Sequence, residues 1–116
     1  MKVPKVIIAG WTDDLPMIID KLPLGIEYIG LDQNTPDDYK YPNVDMAVYV
    51  FSRKSAGSSQ LLSLTAWIHF HVSPPEAVNL LIDDLNLEQW IYDFAKDLPV
   101  ISIEELCERL KVMLAV

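Results

Sequence analysis

The residues best suited to chemistry stand together in one polar stretch, Ser52-Arg-Lys-Ser-Ala-Gly-Ser-Ser59. Two cations, Arg53 and Lys54, lie among four serine hydroxyls and Gly57. A glycine lets a ligand approach the backbone, and a helix starting at Ser58 or Ser59 leaves amide protons pointing outward. Together these suit a phosphate or another anion. Gly10, Thr12 and Asp13, which follow one apolar run, and Asp32, which closes another, complete the candidate binding set. Asp32 is placed to accept a hydrogen bond from a ribose hydroxyl. Asp83 and Asp84 end a further apolar run and are within reach of the same ligand.

Other chemistries fail on residue type. The turn GWTDDL lacks the second and third glycines of a dinucleotide fingerprint, and no P-loop lysine-serine pair occurs. That turn also lacks the hydroxyl-rich run of an FMN-binding loop. A phosphoryl-accepting receiver domain needs an aspartate where Ser52 stands. His69 and His71 are two residues apart, which points them to different sides of a helix, so no metal site is expected. Cys107 falls on or near the apolar face of the last helix and reads as a core residue.

The elements that must position these residues follow from hydrophobic pattern. Residues 5–10, KVIIAG, form an unbroken apolar run of the kind buried on both faces of a parallel sheet. Asp13 or Asp14 caps a helix carrying Leu15, Ile18, Ile19 and Leu22, with Pro16 in its first turn. A second strand is expected over 26–31 and a third over 45–51. Residues 33–43 read as a loop, from which Tyr39 or Tyr41 covers a ligand. The next helix runs from Ser58 or Ser59 to about His71, before Ser73-Pro74-Pro75. Its apolar residues fall on every side, more than one sheet face requires, which predicts a homodimer packed through residues 59–71.

A fourth strand over 76–82 precedes a helix capped by Asn86 and Gln89 and bearing Leu87, Trp90, Ile91 and Phe94. A short edge strand over 98–101 leads into a helix with a Ser102–Glu105 capping box. Five strands alternating with helices predict a three-layer α/β/α, Rossmann-like fold. Its sheet is parallel, in the flavodoxin-like order 2-1-3-4-5, with the ligand crevice between the ends of strands one and three.

The 116 residues suit a single domain, 1–116, and 51% hydrophobic residues exclude disorder. Seventeen acids against nine bases give a net charge of −8, which argues against nucleic acid as a partner. No apolar run approaches the ~20 residues that cross a membrane. No signal-peptide pattern is visible, and with the lone cysteine this places the protein in the cytoplasm.

The segments KVIIAG, DMAVYVFSRKSAGSSQLLSL and PVISIEELCERL resemble the nucleoside 2-deoxyribosyltransferase-like family. VFSRKSAGSSQLLSL also resembles TIR-type NAD-cleaving domains. Both resemblances imply a catalytic glutamate in the helix after the third strand, and both place it on Ser63. Serine cannot act as a carboxylate nucleophile, and no Glu or Asp lies between Asp45 and Glu76 to replace it. The resulting expectation is a non-catalytic protein that binds a nucleoside or nucleotide-like ligand without a cofactor. Two alternatives stand beside it: an oligomeric interaction module using the apolar helix, and a divergent N-glycosidic-bond hydrolase or transferase using Asp13, Asp32 or Asp83.

Overall fold

A computed structural model describes residues 3–82 and 91–115. Strands β1 (Lys5–Ala9), β2 (Glu27–Leu31), β3 (Met46–Phe51), β4 (Ala77–Leu81) and β5 (Val100–Ile101) form one sheet in the order β2-β1-β3-β4-β5. Every pairing is parallel, as the apolar runs predict. β3 is central and buried at all six positions, and side-chain alternation sorts its residues between two cores. Met46, Val48 and Val50 join Val6 and Ile8 on one face. Ala47, Tyr49 and Phe51 join Ile7 and Ala9 on the other.

The first face is covered by α1 (Asp14–Ile19), through Leu15 and Ile18, and by α3 (Ile103–Leu114), through Leu106 and Leu110. Ser102 caps α3, its Oγ accepting from Glu105 N at 3.1 Å. The reciprocal half of that capping box is absent, because the Glu105 carboxylate turns to Arg109 instead, at 3.2 Å. Asp13 is the N-cap of α1 but makes no side-chain cap bond.

The second face is covered by α2 (Ser59–Trp67) and the π turn that continues it, Ile68–Val72. Sequence pattern predicts one helix to His71; the winding widens after Trp67, and Ser73 N donates to Ile68 O at 3.0 Å. Ser73 then takes a left-handed φ of 48°, and Pro74 stops the segment.

The helix expected to carry Leu87, Trp90, Ile91 and Phe94 is corrected in part. Residues 83–90, which hold Asp83 and Asp84 after the fourth strand and both capping residues of that helix, lie outside the described residues. Tyr92 is extended, and Phe94 sits in a 3-10 turn, Asp93–Ala95. Asn79 fastens that turn to the sheet, its Nδ2 donating to Ala95 O at 2.9 Å. Among the described residues no helix is long and apolar enough to cross a membrane.

Tyr49 and Asn79 face each other in register on β3 and β4. Both are fully enclosed, and among the described residues neither Tyr49 Oη nor Asn79 Oδ1 has a hydrogen-bond partner. Burial pushes the Tyr49 phenol up to about 12. The folded chain therefore keeps this proton after the unfolded chain has released it near pH ~10, and stability falls as pH rises from ~10 to about 12. Removing the hydroxyl removes both the orphaned donor and the titration. Tyr49→Phe is expected to gain about 1 kcal/mol at neutral pH and to flatten the alkaline decline. Urea midpoints at about pH 8 and about pH 11 check both parts. A less stable variant, or one with an unchanged alkaline slope, counts against the account.

Candidate functional site

The crevice expected between β1 and β3 is closed by side chains of the chain itself. Asp14, in the first turn of α1, is buried, and Ser52 Oγ donates to its Oδ2 at 2.6 Å. Ser55 completes the closure. Its Oγ accepts from Ser52 N at 2.7 Å, and its own N donates to Ser52 Oγ at 3.3 Å. Ala56 N and Ser58 N are spent on Ser52 O and Ser55 O. The loop proposed for an anion thus uses many of its amides and hydroxyls internally, as compact loops must where they are buried.

The other candidates around it have structural partners. Gly10 packs against β3: a Cβ there would lie 2.9 Å from Val50 Cβ and 3.3 Å from its carbonyl oxygen. Asp13 is exposed and pairs with Lys54 Nζ at 3.0 Å. Arg53 is exposed on the same loop. Gly57 supplies a left-handed turn, φ 80°, with open space where a Cβ would stand, so its backbone conformation is what asks for glycine. Ser58 caps α2, its Oγ accepting from Leu61 N at 3.3 Å. Thr12 N donates to Gln33 Oε1 at 3.1 Å, tying the first turn to the loop after β2.

That loop and α2 enclose a cleft of about 430 Å³. Ser59, Gln60, Ser63, Leu64 and Trp67 form its helical wall, one stripe along α2. Asp32, Gln33, Thr35, Pro36, Asp37 and Tyr41 form the other. Of the residues singled out in the sequence, Asp32, Ser59, Ser63 and Tyr41 meet here. Gly10, Thr12, Asp13, Ser52, Arg53, Gly57 and Ser58 do not line it.

The loop wall is shaped by its own hydrogen bonds. Asp32 Oδ1 accepts from Asn34 N at 2.8 Å, and Thr35 Oγ1 accepts from Asp32 N at 3.1 Å. Tyr39 and Tyr41 meet edge to face at 4.9 Å. Trp67 is 49% exposed, and its ring stacks on His71 at 3.9 Å. His69 instead meets Phe94, at 5.2 Å, so the two histidines diverge as their spacing requires. Beyond Tyr41 and Trp67 a more open trough of about 460 Å³ continues along residues 37–43 to His71.

Burial, then Tyr39, then Asp37 raise the Tyr41 phenol above its ordinary value, so this corner of the cleft disfavours negative charge. Among the described residues, the charged side chains lining the cleft are Asp32 and Asp37, with no lysine, arginine or histidine. Such a cavity can stack a flat ring on Trp67 or Tyr41 and hold hydroxyls or amines through carboxylates, amides and serines. Among the described residues no three His, Cys, Asp or Glu side chains converge as metal ligands would.

The sequence signals for Gln33, Thr35, Asp37, Gln60 and Trp67 are faint. They are polar loop residues or members of an apolar helix with no single face, and only the packing of the loop against α2 brings them together. No protein-family model matches the sequence, and no curated protein shows significant similarity to it.

Proposed function

We propose that this chain is a cytoplasmic binding protein for nucleoside-class ligands, which it holds in the cleft between α2 and residues 32–41 without cleaving them. The observation that carries the reading is the make-up of that cleft. Stackable rings at Trp67 and Tyr41 stand with hydroxyl, amide and carboxylate groups around about 430 Å³, a size proper to small-ligand pockets. Ser63 lies in its wall, where the resemblance to nucleoside 2-deoxyribosyltransferase-like and TIR-type domains requires a glutamate. Among the described residues no lysine or histidine in the lining stands ready to take the proton of a serine hydroxyl there, which favours binding over turnover.

Calorimetry against ribo- and deoxyribonucleosides tests the reading, with chromatography of the mixtures afterwards. Expected are binding of at least one nucleoside, an intact glycosidic bond, and a loss of about 10-fold or more in Trp67→Leu through lost stacking. Absence of binding by every nucleoside tested overturns it. Release of free base makes the chain an enzyme, and Asp32→Asn then asks whether that cleft carboxylate is responsible.

A second reading, a homodimer or interaction module built on α2, is favoured by one observation. Leu62 is 43% exposed and Phe70 63% exposed on the α2 and π-turn segment. Light scattering at micromolar concentration decides it: a monomer mass counts against self-association through this helix.

A further inference from the structure

We propose that the cleft selects nucleosides whose base carries a positive charge and excludes nucleotides, an inference that rests on the nucleoside reading above. Two aromatic rings from different elements, Tyr41 of the loop and Trp67 of α2, line the same cavity as Asp32 and Asp37. The face of an aromatic ring attracts a cation, tryptophan most strongly, and a flat cationic ring gains stacking and electrostatic attraction together. The carboxylates add to that attraction, and among the described residues no cation lines the cleft to offset them. Asp37 also borders the adjoining trough, where Asp38, Lys40 and His71 join the lining, so the excess of negative charge belongs to the cleft itself. The chain's net charge of −8 extends the same field outward.

A neutral base gains only the stacking. A 5′-phosphate would bring two negative charges toward two carboxylates in a cavity that no base among the described residues lines. Arg53 and Lys54 do not line it, and Lys54 Nζ is 3.0 Å from Asp13. The amides of Ser55, Ala56 and Ser58, which an anion would have used, are bonded within their own loop.

Calorimetry on the full chain compares adenosine, 1-methyladenosine (a cation at neutral pH), adenosine 5′-monophosphate and benzyltrimethylammonium, a ring cation without a sugar. Expected is roughly 3- to 30-fold tighter binding of 1-methyladenosine than of adenosine, shrinking with added salt. The monophosphate is expected to bind about 10-fold or more weakly than adenosine, the size of a modest like-charge penalty.

Asp37 is exposed and among the described residues makes no hydrogen bond to the loop backbone, whereas Asp32 Oδ1 caps its own turn. Asp37→Asn is therefore the variant to make, with its urea midpoint as the control for folding. It is expected to cut the preference for 1-methyladenosine over adenosine at least 3-fold. Equal binding of adenosine and 1-methyladenosine, or a monophosphate that binds as well as adenosine, overturns this inference and leaves the nucleoside reading standing. Binding of benzyltrimethylammonium with no nucleoside bound overturns the nucleoside reading, and this inference as stated falls with it.

Discussion

Asn79→Asp is expected to cost the fold about 3–5 kcal/mol at neutral pH, the largest loss foreseen for a single isosteric change here. Asn79 is fully enclosed on β4, and its Nδ2 donates to Ala95 O at 2.9 Å and approaches Leu98 O at 3.5 Å. A carboxylate has the same shape and no donors. It would turn an oxygen toward two carbonyl oxygens in a site closed to bulk solvent, and among the described residues no cation contacts Asn79. Burial and those carbonyls both disfavour the charged form, so the introduced carboxyl titrates higher in the folded than in the unfolded chain. The folded state then binds the extra proton, and stability falls as pH rises from about 4, where the unfolded carboxyl titrates, toward the folded value. Urea unfolding from about pH 4 to about pH 8 reads this as a midpoint that drops with pH in the variant and not in the parent. A flat profile with the parent's midpoint would mean that the bonds from Asn79 to the 93–98 segment carry no stability.

The sheet was legible because its evidence is local. KVIIA and MAVYVF are unbroken apolar runs, and a strand buried on both faces has no other way to be written. Their parallel order follows from alternation with helices and from the hand of the crossovers. The cleft was not legible, because its walls meet only in three dimensions. Asp13 and Asp14 are equivalent in the sequence, and their fates are set by residues about forty positions away. Ser52 claims Asp14 for the interior, while Lys54 holds Asp13 at the surface. The same closure moved the binding candidate sideways, from the β1–β3 crevice to the groove between α2 and the loop after β2. Residues 33–43 carry no hydrophobic period, so nothing in their pattern says that Tyr41 and Asp37 face α2. The π turn was equally hidden. Pro74 and Pro75 announce where the helix must stop, and say nothing of how its last turn is wound.

Ile68→Ala is expected to destabilise the protein by about 2–5 kcal/mol, against about 0.5–1.5 for Ile68→Val and within about 0.5 for Leu62→Ala. Ile68 is fully buried in the second core with Leu61 and Leu64, while Leu62 on the same segment is 43% exposed. Its N–H closes the end of α2 on Leu64 O and Thr65 O, and its carbonyl accepts from Ser73 N to close the π turn. A truncated side chain leaves a cavity that this backbone, bonded on both sides, can collapse only in part. The adjacent Trp67 lines the cleft, so the segment that seals one face of the sheet also holds the ring that would stack a ligand. This explains part of the excess apolar surface of α2 without a partner: one stripe is core and a neighbouring one is cleft. Folding and binding are then linked, and a saturating ligand should raise the parent's urea midpoint in proportion to its affinity. Ile68→Ala should bind that ligand more weakly than Leu62→Ala does, although neither side chain lines the cleft. Equal affinity of the two variants would separate the core from the site and show that Trp67 is held by the loop and His71 alone.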